Sequence, residues 1–141
     1  MNMLFAERGG AGEDLLVLLH GLGANAAVWH PFTKILDREW SGRWLAPDFR
    51  GHGRSVKQGP FTFEQHAADT GALIKNEGAK NIIVLGHSFG GVIAALLGSG
   101  TFGVQPRAAL AFGVKIKWSE EEKAKALDLA KRPVKIFATR G

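Results

Sequence analysis

Ile82-Ile83-Val84-Leu85-Gly86-His87-Ser88-Phe89-Gly90-Gly91-Val92-Ile93-Ala94-Ala95-Leu96-Leu97 is the stretch whose reading decides the fold. Ile82 to Leu85 is a short, unalternated apolar run followed by glycine, the pattern of a strand buried on both faces of a parallel sheet. Gly90 to Leu97 is a small-residue run of helical length. Between them sits Gly86-His87-Ser88-Phe89-Gly90, a G-x-S-x-G at a strand-to-helix junction. A serine on that sharp turn projects its Oγ above the sheet, and the glycines let strand and helix close on each other. The N-terminus of the new helix also favours developing negative charge. Such a pattern also arises by chance as a glycine-rich packing loop, and the flanking elements make that reading the minor one.

Working outward, Leu15 to Leu19 is a second buried-strand run, ending on His20-Gly21-Leu22-Gly23. Pro31 to Arg38 has Phe32, Ile35 and Leu36 at helical spacing, and Arg43 to Ala46 reads as a strand. Thr62-Phe63-Glu64-Gln65 is a candidate capping box that opens a helix to about Lys75, with Phe63, Ala67 and Ile74 on one stripe. Arg107 to Phe112 reads as a further strand. Strands alternating with helices require crossover connections, so the expected fold class is α/β: a mostly parallel sheet with helices on both faces. Ser119-Glu120-Glu121-Glu122 is a second capping box, its helix running to Lys131 and Arg132, and Pro133 to Thr139 is a short β-leaning run. No internal repeat, low-complexity tract or linker divides the chain, so residues 1–141 are read as one domain.

Composition narrows the function classes. Apolar residues make up 45% and charged residues 22% of the chain, close to a soluble globular average, and this length allows a real core. Val92 to Leu97 is far too short to span a bilayer, and the N-terminus has no secretory apolar segment, so the expectation is a cytoplasmic protein with no membrane partner. The absence of cysteine removes disulfides, thiolate metal sites and cysteine nucleophiles. The net charge is +5, but Met1 to Val114 is nearly balanced and most of the excess lies in Lys115 to Gly141. No basic stripe interleaved with aromatics is present there, so nucleic acid is not expected as a partner.

The chemistry of Ser88 needs two backbone N–H donors for an oxyanion. One comes from the residue after the nucleophile and one from the loop after an earlier strand, which nominates Phe89 and Leu22. Three motifs now stand in order: His20-Gly21-Leu22-Gly23, Ala46-Pro47-Asp48-Phe49-Arg50-Gly51-His52-Gly53-Arg54-Ser55 and Gly86-His87-Ser88-Phe89-Gly90-Gly91. Through them the chain resembles the N-terminal half of the α/β-hydrolase superfamily, from Leu15 to roughly Phe112. The resemblance implies a serine hydrolase acting by acyl transfer on a small carbonyl substrate, esters first. Ser88 would be the nucleophile and the Leu22 and Phe89 amides the oxyanion hole, with no organic cofactor and no metal. A serine at the elbow argues against the carboxylate-nucleophile members of the superfamily. His52 and Arg54 belong to a structural turn, where packing and hydrogen bonding are expected rather than catalysis. His87 neighbours Ser88 in sequence, but side chains diverge at a sharp turn, which makes it a poor base.

The departures from the family pattern matter equally. The triad order is Ser, then Asp or Glu, then His, yet the five histidines His20, His30, His52, His66 and His87 all precede Ser88. The expectation is therefore a C-terminally truncated core, cut after its sixth or seventh strand, with residues 115–141 starting a lid or the next helix-strand unit. Such a chain would be nearly inactive and would self-associate through its exposed sheet edge. Two other functions compete. One is a non-catalytic α/β-hydrolase-like protein that binds a small ligand. The weaker is a dinucleotide-binding oxidoreductase, because Gly21-Leu22-Gly23-Ala24-Asn25-Ala26 fits G-x-G-x-x-[GA], with Asp48 at the distance of a ribose-binding acid. Pro31 and the unexplained Ser88 turn weigh against that last reading.

Overall fold

The computed structural model describes residues 4–114 and 120–121. In chain order these form β1 (Ala6–Gly10), β2 (Asp14–Leu19), a 3₁₀ turn (Ala26–Trp29), α1 (His30–Glu39) and β3 (Arg43–Pro47). There follow α2 (Phe63–Asn76), β4 (Asn81–His87), α3 (Phe89–Gly98) and β5 (Ala108–Phe112). The sheet order is β1-β3-β2-β4-β5. β2, β3, β4 and β5 run parallel, and β1 lies antiparallel on β3, Ala6 opposite Pro47 and Gly10 opposite Arg43. The α/β class and the mostly parallel sheet expected above are thus present.

β2 at the centre shows why the run Leu15 to Leu19 does not alternate. Leu15, Val17 and Leu19 point to one face and join Phe49, Ala67, Ile74, Val84, Ile93 and Leu97 in the larger core beneath α2 and α3. Leu18, with the half-buried Leu16, points to the other face and packs with Trp29, Leu36, Trp44 and Ala46 beneath α1. Both faces are covered, so both residue parities are apolar.

The ends of the helices follow their local chemistry. Pro31 sits in the first turn of α1, where a missing N–H costs nothing. Thr62 caps α2 by accepting the Gln65 N–H at 3.0 Å. The reciprocal half of the expected capping box is not made: Gln65 turns forward and donates to Asp69 Oδ1 at 2.8 Å. Phe63 differs from its expected place too, since it is half exposed and stacks on Phe89 at 5.5 Å rather than entering the core.

Two further differences concern the strands. β1, Ala-Glu-Arg-Gly-Gly, was not expected, because it carries neither apolar alternation nor β-branched residues. Its pairing to β3 and the Arg8–Glu77 ion pair at 3.1 Å, which ties it to the end of α2, hold it instead. Five strands occur among the described residues, which end before the place where a sixth or seventh was expected. Pro133 to Thr139 lies outside them, as does the second capping box except Glu120 and Glu121, which are helical. No described helix is long and apolar enough to cross a membrane.

Candidate active site

β4 delivers Ser88 to the top of the sheet and α3 begins at the next residue, so the backbone must reverse within a single position. Ser88 does this at φ 55°, ψ −116°, the only non-glycine with positive φ among the described residues. Such a conformation costs on the order of 1–3 kcal/mol and persists only where the surroundings enforce it. Here they do. The Ser88 N–H donates to Phe112 O at 2.9 Å, and Ser88 O accepts the Gly91 N–H at 2.8 Å. Close packing beneath the turn demands glycine: a Cβ on Gly90 would lie 2.4 Å from Leu19 O and 2.6 Å from His20 O.

Phe89 is the first residue of α3, so its amide is among those a helix leaves without an internal partner. Leu22 occupies the second position of a turn closed by Ala24 N–H donating to Gly21 O at 3.1 Å. Gly23 supplies the third position at φ +82°, the conformation a type II turn requires there. The turn adjoins the elbow, since a Cβ built on Gly21 would lie 3.7 Å from Ser88 Cβ. The structure therefore brings Ser88, Phe89 and the Leu22 turn to one place.

The histidines are engaged elsewhere. His20, fully buried, donates Nδ1–H to Gly21 O at 2.6 Å and accepts the Phe49 N–H on Nε2 at 3.0 Å. His52 donates Nδ1–H to Arg50 O at 3.0 Å and accepts the Gly23 N–H on Nε2 at 3.0 Å. Each ring thus donates from Nδ1 and accepts on Nε2, the same tautomer in both. Desolvation is the main cause that lowers His20 from 6.5 to about 4, with repulsion from His52 adding to it against the Gly21 hydrogen bond. Burial likewise lowers His66 to about 4, and His52 adds to the shift. Among the described residues, the His66 Nδ1 finds no hydrogen-bond partner. His66 sits instead among Phe49, Phe89 and His52, at centroid distances of 5.4, 5.1 and 6.5 Å. His30 pairs with Glu7 at 2.8 Å. His87 packs its ring on Phe112, centroids 5.0 Å apart.

The middle motif supports the turn from the side. Asp48, buried, accepts the Ala26 N–H at 2.6 Å and the Arg54 N–H at 2.9 Å, one on each oxygen. A carboxylate spent on two backbone amides has no role on a ribose, and no α-helix starts at Gly23, so the dinucleotide fingerprint lacks its supporting parts. Arg50 makes a two-pronged pair with Asp69 at 2.7 and 2.8 Å. Arg54 lies over the Phe5 ring. Sequence reasoning missed the clamp that His20 and His52 form.

An apolar cleft of about 200 Å³ lined by Val28, Trp29, His87 and Phe112 opens beside the elbow. A larger one of about 270 Å³ lies between Phe5, Asn25, His30 and Arg54, and neither cleft is lined by Ser88, Leu22 or Phe89. No cluster of three or more metal-ligating side chains occurs among the described residues.

A sequence model of the alpha/beta hydrolase family matches residues 16–137, and the chain belongs to that family. Among curated relatives, a lipase, LipV, of Mycobacterium tuberculosis is 34% identical over 86 residues, covering 61% of this chain and 32% of its own. A pimeloyl-[acyl-carrier protein] methyl ester esterase of Yersinia pseudotuberculosis is 36% identical over 102 residues, covering 67% and 34%. A carboxylesterase structure from Nitrososphaera gargenis superposes with TM-score 0.74 at 26% identity, covering 89% of this chain and 47% of that one. The chain spans about one third of the length of the curated relatives it matches.

Proposed function

We propose that this chain carries the nucleophile and oxyanion hole of a serine hydrolase that cleaves small carboxylic esters. Ser88 Oγ attacks the carbonyl carbon, the Leu22 and Phe89 amides stabilise the oxyanion, collapse expels the alcohol, which takes up the proton given up by Oγ, and water then hydrolyses the acyl-Ser88 ester to free acid and serine. The observation that carries the reading is the strained Ser88 turn packed against the Gly21–Ala24 turn. The lipase and esterase relatives support esters as the substrate class. No organic cofactor or metal enters these steps.

No histidine follows Ser88 in the chain, and in this family's triad order the base comes after the nucleophile. None of the five histidines holds that place in the order, so turnover by these 141 residues alone is expected to stay near background. Covalent trapping tests the reading without requiring turnover. An alkyl fluorophosphonate is expected to label Ser88, and Ser88→Ala is expected to abolish labelling with little change in stability. Equal labelling of the variant would remove Ser88 from the reaction. Reversible binding of ester analogues with no labelling of the wild-type chain would favour the small-ligand binding protein instead.

A further inference from the structure

We propose that His52 is a positioning residue for the oxyanion hole, holding the turn that carries the Leu22 amide at a fixed tilt toward Ser88. The inference rests on the hydrolase reading above and adds a residue to it.

The turn is fastened at both ends by imidazoles. Gly21 O accepts Nδ1–H of His20, and the Gly23 N–H donates to Nε2 of His52. These two groups flank Leu22, so together they fix the plane in which its N–H lies. His20 belongs to the chain just before the turn and moves with it. His52 comes from the loop after β3 and gives the turn an outside anchor. That anchor is itself immobilised. His52 Nδ1–H is held by Arg50 O, and the Arg50 guanidinium is buried against Asp69 and donates to Gln58 O at 2.8 Å. The ring also packs edge-on to Phe49 and lies 5.1 Å from His20. Without the Nε2 acceptor, the Gly23 N–H must turn toward water, and the turn then rotates about its Gly21 end.

Geometry of this kind matters because oxyanion donors act only when aimed at the developing charge. Loss of one such donor lowers rates by roughly 10²–10³, and a misplacement near 1 Å costs about 10². A purely structural hydrogen bond would affect stability and leave the reaction at Ser88 alone.

The test measures phosphonylation of Ser88 by an alkyl fluorophosphonate in the full chain, separated into the limiting rate kinact and the affinity KI. The Oγ–P bond forms as P–F breaks, fluoride leaves, and the hydroxyl proton passes to solvent. His52→Phe keeps the ring and removes both nitrogens. His52→Gln places an oxygen at the reach of Nε2, whereas His52→Asn reaches only as far as Nδ1. We expect kinact to fall about 10- to 100-fold in the Phe and Asn variants, with KI little changed, and to recover in Gln. Wild-type kinact in the Phe variant, or a change confined to KI, overturns the proposal. If the Phe variant does not fold, the Gln and Asn variants decide, and equal rates in those two overturn it. Labelling that persists in Ser88→Ala would instead sink the hydrolase reading itself, which separates the two failures.

Discussion

Acid should destabilise this fold through two buried imidazoles, and His66→Leu should remove about half of that effect. The folded state holds His20 and His66 at about 4 against an ordinary 6.5. Between those values the unfolded chain binds more protons than the folded one, so stability is fully present above about pH 6.5 and is lost as pH falls toward 4. For one imidazole with these two values the linkage integral gives a loss of about 2 kcal/mol between pH 7 and pH 5, approaching about 3 at pH 4. His66 is the better one to replace, because among the described residues its Nδ1 has no partner and it holds no loop amide through its ring. Leu is of similar bulk and leaves no unsatisfied nitrogen, so at pH 7 the change should be neutral or stabilising by up to about 1 kcal/mol. Urea unfolding followed by tryptophan fluorescence at pH 7 and pH 5, on wild type and variant, gives the comparison. Carboxylate titration is common to both proteins and cancels. The wild type should lose about 2 kcal/mol more than the variant between the two pH values. Equal losses would show that His66 is not held neutral by the fold.

Gly90→Ala should destabilise by about 1–3 kcal/mol in thermal or urea unfolding, because its Cβ would enter the backbone of β2 at Leu19 O; a neutral result would mean that α3 moves freely on the sheet. Asp48→Asn replaces an acceptor oxygen with an NH₂ facing a backbone N–H, at Ala26 or at Arg54, and should cost about 1–3 kcal/mol by the same measurement. Among the described residues, β5 lies at the edge of the sheet with Leu110 and Phe112 exposed at 54% and 46%. Sedimentation at tens of micromolar, on the order of where such edges associate, should therefore show self-association, and a stable monomer would refute that role for the edge.

Much of the fold was legible because burial on both faces leaves a direct trace. In β2 and β4 the sheet contributes apolar residues to both sides, so unalternated runs ending in glycine located the strands to within a residue or two. Thr62 and Pro31 marked helix starts through the single hydrogen bond or missing donor each supplies. β1 was invisible for the opposite reason. It is held by backbone pairing and by the Arg8–Glu77 pair, neither of which imposes a periodic side-chain pattern. Phe63 was misplaced because helical spacing tells which residues share a face, not whether the sheet reaches that far along the helix.

Ser88 and its glycines were readable for a stricter reason than burial. A strand that must become a helix within one residue tolerates few sequences, and Gly86, Gly90 and Gly91 record the close approach directly. His52 lacked any such mark, since an imidazole that accepts one amide and donates to one carbonyl leaves no periodicity and no steric signature. Its partner Gly23 lies 29 positions away, and only the parallel pairing of β2 with β3 brings the two loops to the same end of the sheet. The order of motifs along the chain thus located the Ser88 elbow, while the tilt of the Leu22 turn depends on contacts that exist only once the sheet has formed. A substitution at His52 should accordingly leave the residues of the Ser88 elbow and of the Gly21–Ala24 turn intact and, on the proposed reading, still slow phosphonylation of Ser88.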